Sequence, residues 1–183
     1  RRPRRDRRVS IALSNVQSVF HARGGDAMLT ISIPGYGELR LEHLVLDYNG
    51  TLACDGEILE AVEQSLEILA GDLEIHVVTA DTFGKVRSRM ASSPAKVVIL
   101  PREGQDVGKR KYVENLGAER VVAIGNGRND RLMLKEAALG IAVVEREGAA
   151  AETLMAADVV CPSILAAFEL LQNPLRLTAT LRS

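Results

Sequence analysis

Apolar and polar positions alternate with period two over residues 28–42. Leu29, Ile31 and Ile33 are interleaved with Thr30 and Ser32, and Leu39 and Leu41 sit between polar neighbours. Pro34-Gly35-Tyr36-Gly37 separates the two runs, so the segment predicts a β-hairpin with a Gly-rich loop. Beyond it the period keeps changing. Residues 43–47 predict a strand. Ile58, Val62, Leu66 and Leu69 recur at helical spacing, with Gly71 placed as a C-terminal cap. Further strands are expected over 75–79, 96–100, 121–124, 141–144 and 158–160. Helices are expected over 82–90, 109–116, 129–139 and 149–156, and Pro162 is read as opening a last helix through Leu171. Repeated β-α-β units with short connections predict an α/β fold, a three-layer, doubly wound parallel sheet with helices on both faces.

Length and composition narrow the class. At 183 residues and 46% apolar, the chain is expected to form one domain with its own core over 28–183, the hairpin over 28–42 and an α/β core over 43–183. No apolar run approaches the roughly 18 residues needed to span a bilayer, so no membrane partner is expected. Aromatics are 3% of residues, with no Trp, which leaves little to stack nucleic-acid bases. Cys54 and Cys161 form no CxxC pair, and a reducing, cytoplasmic setting is expected.

Charge is unevenly placed. Arg1 to Arg8 hold six arginines and one aspartate, a net of +5. The whole chain carries −1, so the other 175 residues carry −6. Residues 1–27 are read as a disordered basic extension outside the functional fold. Nucleic acid is not an expected partner, although the arginine tail offers the obvious contact. Arg7-Arg8 and the apolar stretch after them have the outline of a twin-arginine export signal, which Asn15 and Gln17 interrupt.

The chemistry gathers where strands end. Leu44-Val45-Leu46 delivers Asp47, and Tyr48-Asn49-Gly50-Thr51 follows at once. The next strand ends in Thr79-Ala80-Asp81, Gly108-Lys109-Arg110-Lys111 follows the third, and Gly125-Asn126-Gly127-Arg128-Asn129-Asp130 follows the fourth. Open α/β sheets bind ligands at the carboxyl ends of their strands, so these groups are expected to converge. A carboxylate, a hydroxyl, an ammonium and further metal-binding oxygens suit phosphoryl transfer, which is mostly positioning and charge neutralisation. Gly125-x-Gly127 is not a dinucleotide loop, because Asp130 stands where the third glycine belongs. His43 and His76, beside apolar strands, are read as satisfied structural residues rather than ligands.

Those four motifs, in that order, resemble the haloacid dehalogenase superfamily. Asp47-Tyr48-Asn49-Gly50-Thr51 is similar to the Asp-Lys-Thr-Gly-Thr of P-type ATPases, Thr79-Ala80-Asp81 to their Thr-Gly-Asp, and Gly125 to Asp130 to their Gly-Asp-Gly-x-Asn-Asp. The soluble P-type-ATPase-like phosphatase group is the match this suggests, over residues from about 41 to 160. The resemblance implies that Asp47 attacks phosphorus and becomes an aspartyl phosphate. It implies that Thr79 and a lysine bind the transferring group, with Gly50, Thr51, Ala80, Asp81, Lys111 and Asn129 lining the phosphate site. Lys109 fits the lysine role better than Lys111 because it is expected to precede the helix. Mg²⁺ would be held by Asp47, the Asn49 carbonyl, Asn126 and Asp130.

Two positions depart from the pattern. Asn49 stands where phosphatases of this superfamily carry a second Asp that protonates the leaving group and activates water. An amide does neither, so slow hydrolysis of the intermediate is expected, assisted by Asp55 or Asp81. Asn126 stands where an acidic metal ligand is normal, so weak Mg²⁺ affinity is expected. The spacings from Thr51 to Thr79 and from Thr79 to Lys109 leave no room for a cap domain. An open site is expected to take a large substrate or to borrow a lid from a second copy in a homo-oligomer, and the expected partner is a small phosphorylated molecule or a phosphoprotein. The competing reading is a catalytically weak relative that binds a phosphorylated ligand or a protein partner.

Overall fold

A computed structural model describes residues 28–80 and 84–183. The basic segment 1–27, Asp81 and Thr82 lie outside the described residues. Six parallel strands form the central sheet in the order β10-β9-β8-β3-β6-β7. They are β3 (His43–Leu46), β6 (Glu74–Thr79), β7 (Lys96–Ile99), β8 (Val121–Gly125), β9 (Leu139–Val143) and β10 (Val159–Cys161). From β3 the chain moves one way to β6 and β7, then returns to the other side of β3 for β8, β9 and β10. The switch point is therefore the crevice between β3 and β8, where Asp47 and the loop after Gly125 emerge together.

Strand β3 is buried on both faces because each alternate residue enters a different core. Leu44 and Leu46 join Leu66, Phe168 and Leu177, from helices α1 (Val62–Leu69), α6 (Ile164–Gln172) and α7 (Pro174–Leu181). Val45 faces Val113, Met133 and Leu134, from helices α3 (Gln105–Leu116) and α4 (Arg131–Glu136). Helices α2 (Val86–Arg89) and α5 (Ala151–Ala156) complete the layers. The expected hairpin forms from β1 (Leu29–Ile33) and β2 (Gly37–Leu41), paired antiparallel. Its apolar face adds Leu29, Ile31, Ile33, Leu39 and Leu41 to the core shared with α7.

A second hairpin, β4 (Ala53–Cys54) and β5 (Glu57–Ile58), is the small flap after Asp47. Asp55 and Gly56 turn it with φ of 51° and 78°, the two-residue turn that an Asp-Gly pair favours. Between Thr51 and Lys109 the described residues add only this flap, two helices and two strands, so there is no inserted cap domain among them.

Several expected boundaries move. Ile58 belongs to β5 rather than to the first helix, which ends at Ala70 without a left-handed glycine. The helix expected over 82–90 shortens to α2. The helix expected over 129–139 is a 3₁₀ turn, Arg128–Asp130, followed by α4, and Leu139 opens β9 instead. Pro162 precedes α6, whose cap is Ser163, its hydroxyl accepting the Ala166 N–H at 3.1 Å. Helix α7, opened by Pro174, was not anticipated.

Candidate active site

The Asp47 N–H donates to the Ile124 carbonyl at 3.0 Å, carrying the β3–β8 ladder one residue past the strand. The chain then turns sharply. The Tyr48 carbonyl accepts from the N–H groups of Leu52 and Ala53 at 2.9 and 3.0 Å, and Gly50 takes a left-handed φ of 74°. This turn places the Thr51 hydroxyl 3.3 Å from Asp47 Oδ2 and 3.2 Å from Asn126 Oδ1. A hydroxyl has one proton, so Thr51 serves one of these oxygens at a time.

The loop after β8 is wound around Asp130. Asp130 Oδ2 accepts the backbone N–H groups of Asn126 and Gly127 at 3.0 and 2.8 Å. A Cβ on Gly125 would lie 2.5 Å from Asp130 Cγ, so only glycine fits there. Asp130 Oδ1 accepts from Lys109 Nζ at 2.6 Å, and the same ammonium donates to Asp47 Oδ1 at 2.5 Å. Asp130 thus organises its loop and holds the lysine, and both its oxygens are engaged.

Lys109 reaches the site from inside α3, one turn before the buried Val113 and on the same helix face. The expectation that it precedes the helix is corrected: α3 starts four residues earlier, at Gln105. Its first turn carries no large apolar residue except Val107, so periodicity hides the start. Lys111, two residues on and about 200° around the helix, is exposed and stands away from Asp47.

Lys109 and Asp130 are fully buried and Asp47 is 6% exposed. Burial alone would lower the Lys109 pKa, but the charges of Asp130 and Asp47 overcome it and hold the ammonium well above its usual range. Asp130 moves up to about 6, first through burial and then through the Asp47 charge, with Lys109 opposing. Two carboxylates against one ammonium leave a buried net charge of −1.

That surplus charge suits a hard divalent cation with oxygen ligands. The Asn126 side chain is oriented for it. Its Nδ2 donates to the Gly148 carbonyl at 2.8 Å, which leaves Oδ1 on the side of Thr51 and Asp47 Oδ2. Asp47 Oδ2 and Asn126 Oδ1 both lie against the Thr51 hydroxyl. The amide supplies no charge.

The remaining candidates are spread around this centre. Asn49 is half-buried and forms an isolated backbone bridge to Ala53. Thr79 ends β6 as a buried residue, with Ala80 half-buried after it. Asn129 turns to α3, its Nδ2 donating to Gln105 Oε1 at 2.9 Å. Arg128 is exposed and pairs with Glu152. Three contributors had no motif to mark them. Gly148 fixes the Asn126 amide. Thr153 donates to the Gly127 carbonyl at 2.6 Å. Glu147 Oε1 accepts the Asp55 N–H at 2.8 Å, tying the flap to the loop before α5. The Asp55-Gly56 turn was the one signal in the sequence for that contact.

Comparison with known proteins agrees with this geometry. The family described as haloacid dehalogenase-like hydrolase matches residues 105–164, from the start of α3 into α6. An uncharacterised protein of Methanocaldococcus jannaschii is 44% identical over 82 residues, 43% of this chain and 88% of that protein. A phosphoserine phosphatase of Archaeoglobus fulgidus is 31% identical over 74 residues, 40% of this chain and 20% of that protein. Among solved structures, the cobalt-bound deoxy-D-mannose-octulosonate 8-phosphate phosphatase of Haemophilus influenzae superimposes with a TM-score of 0.62 at 15% identity. It covers 78% of this chain and 94% of its own. The six-stranded fold, the convergence of Asp47, Lys109 and Asp130 at its switch point and the family match over α3 to α6 agree: the chain belongs to the haloacid dehalogenase-like hydrolases.

Proposed function

We propose that this protein is a Mg²⁺-dependent phosphatase that hydrolyses phosphate esters through an aspartyl phosphate at Asp47. The observation that carries the reading is the placement of Lys109 Nζ between Asp47 and Asp130. It holds the Asp47 carboxylate in place as the nucleophile and supplies positive charge where a phosphoryl oxygen would arrive. Asp47 Oδ2, the Asn49 carbonyl and Asn126 Oδ1 would hold Mg²⁺, with Asp130 acting behind them through Lys109. Mg²⁺ bound there would offset charge on the transferring group.

Asp47 Oδ1, on the lysine side, forms the new O–P bond as the bond from phosphorus to the leaving oxygen breaks. That oxygen takes its proton from water, since Asn49 has none to give. Water then attacks the acyl phosphate, releasing phosphate and restoring Asp47. Asn49 is no base for this step, so breakdown of the intermediate limits turnover.

The substrate is a small phosphomonoester, in keeping with the names of the similar phosphoserine and octulosonate 8-phosphate phosphatases. An open depression of 440 Å³, lined by Arg102, Gln105, Asp106, Arg128, Asn129 and Arg131, flanks Asp130 and would favour an acidic organic part. A phosphoprotein fits the same capless edge. With that edge open, a second copy is proposed as its lid, and the free Cys54 and Cys161 suit the cytoplasm. Among the described residues, no helix is long and apolar enough to cross a membrane.

The test is a panel of phosphorylated metabolites with and without Mg²⁺, beside Asp47→Asn. Turnover that needs both the metal and Asp47 is expected. Turnover that survives in Asp47→Asn would remove the mechanism. Ligand binding with no turnover of any ester would favour a weakly active binding protein, the reading that the amides at positions 49 and 126 also suit.

A further inference from the structure

At the opposite edge of the sheet, the start of β3 and the start of β6 bring together a second set of side chains. His43 and Glu74 are cross-strand partners, and His76 lies two residues beyond Glu74 on the same face. His43 Nδ1 faces His76 Nε2 at 3.2 Å. Glu74 places one oxygen 3.4 Å from His43 Nδ1 and the other 4.0 Å from His76 Nε2. The motif chemistry of the catalytic edge uses none of these residues.

We propose that His43, His76 and Glu74 form a binding site for a first-row divalent ion, with Zn²⁺ as the expected occupant. Two imidazoles and a carboxylate suit Zn²⁺. Ligands about 2.0–2.1 Å from a tetrahedral ion stand about 3.3 Å from one another. The 3.2 and 3.4 Å separations match that edge, and the third, 4.0 Å from His76 Nε2 to Glu74, closes when the half-exposed carboxylate swings toward His76.

The surroundings support it. His76 Nδ1 lies 2.9 Å from the Tyr112 hydroxyl on α3. That bond holds the ring in place and lets Nδ1 keep the proton, leaving the Nε2 lone pair for the ion. Metal-bound histidines are commonly oriented by such an outer partner. With His76 in that tautomer and no metal bound, the proton between the facing nitrogens sits on His43 Nδ1. On binding, it moves to Nε2 of the same neutral ring, and no net proton is released. Lys96 pairs with Glu74 Oε1, and Glu74 Oε2 remains toward His43. Glu74 is half-buried and His43 only 14% exposed in its side chain, so the ion enters past the carboxylate and keeps water as its fourth ligand.

An ion here would join β3, β6 and, through Tyr112, α3 at the end of the sheet away from Asp47. The expectation that both histidines are merely satisfied structural residues would then be wrong. The experiment strips the full chain with chelator and titrates it with Zn²⁺ by calorimetry and with Co²⁺ by visible absorption. With excess Mg²⁺ present to occupy the Asp47 site, one equivalent is expected, with the absorption of a four-coordinate Co²⁺ and a raised melting temperature. His43→Gln should lose the equivalent, and Tyr112→Phe should weaken it about tenfold. Glu74→Gln, at a half-exposed position, gives the same reading should His43→Gln not fold. Asp47→Asn should bind Zn²⁺ unchanged. No equivalent in the wild-type chain would overturn the site. So would wild-type binding in both His43→Gln and Glu74→Gln, or loss of the equivalent in Asp47→Asn.

Discussion

Lys109 Nζ lies 2.5 Å from Asp47 Oδ1, and Asp130 Oδ1 accepts from the same ammonium at 2.6 Å. A strand end, a helix interior and a loop are thereby joined through one fully buried cation. Removing it leaves two nearly water-free carboxylates facing each other. Lys109→Met should cost about 3–5 kcal/mol, because breaking a buried pair strands the opposite charge. It should also abolish turnover. Adding Asp130→Asn to Lys109→Met should recover part of the stability and none of the activity. Urea midpoints of the two variants measure this, and a Lys109→Met chain as stable as wild type would deny the lysine its bridging role.

Gly50 is required twice over. Its φ of 74° is left-handed, and a Cβ there would fall 2.3 Å from Asn126 Nδ2. The backbone term alone is worth about 1–2 kcal/mol for an L-residue. Gly50→Ala should exceed that, because the Asn126 amide must also move. Gly104 has a similar φ of 65° with nothing within 4 Å, so Gly104→Ala reads the backbone term by itself. Equal losses in the two variants, compared by denaturant unfolding, would show that the Gly50–Asn126 approach has no consequence.

Asn126→Asp restores a charge beside Asp47 Oδ2 and surrenders the amide N–H that satisfies the Gly148 carbonyl. Without metal the variant should lose about 1–3 kcal/mol, from the stranded carbonyl and the added repulsion. Mg²⁺ should bind about tenfold more tightly or better, since ligand charge tunes affinity for such cations. Activity against Mg²⁺ concentration gives the affinity, and melting with and without Mg²⁺ gives the stability. A variant with unchanged metal dependence would place the ion elsewhere.

The strand-end logic of the site was legible in the sequence, because an apolar run that stops at a carboxylate fixes both the strand and its edge. Asp47, Thr79 and the Gly125–Asp130 loop followed from that. The helix boundaries were not. Residues 137–144 form one apolar run that suits helix or strand, and the chain breaks it with an extended Ala137 that no glycine or proline marks. Helix α3 is rich in charge, and its buried Lys109 looks like any surface lysine. Its burial depends on partners 62 and 21 residues away, which local pattern cannot see. Gly148 escaped for the same reason, since its role is to satisfy an amide 22 residues distant. The paired histidines show the same limit. Each lies near the start of a strand, and only the parallel register, which sets His43 opposite Glu74, brings His76 diagonally beside it.

Asn49→Asp tests the proposed slow step, hydrolysis of the aspartyl phosphate. A carboxyl there can protonate the leaving group and then activate water, and positioned acid–base groups contribute about 10²–10⁴-fold. Turnover should rise toward that range, and the burst of product before steady state should shrink as the phosphoenzyme ceases to accumulate. Rapid-quench kinetics on the best ester from the panel would show both. Turnover that stays level, or falls while the fold is intact, would mean that breakdown of the intermediate is not limited by the residue at position 49.

His76 gives the metal-free chain a defined acid response. Burial first, and then the charge of His43, push its pKa from 6.5 down to about 4. The charged groups around the pair are Glu74, Lys96, Glu42 and Arg120, and His43 itself is lowered chiefly by burial. A depressed folded-state pKa contributes stability that is fully present above the unfolded value, near 6.5. That stability is lost as pH falls through the folded value, near 4. A shift of this size corresponds to about 3 kcal/mol at most across that window. Between pH 6.5 and 4 the urea midpoint of the chelated wild type should therefore fall relative to that of His76→Gln. Asp130, raised to about 6, acts in the same window with the opposite sign and is common to both chains, so the difference between wild type and His76→Gln isolates the histidine. An identical slope in wild type and His76→Gln would show that the buried imidazole is not the group taking up the proton.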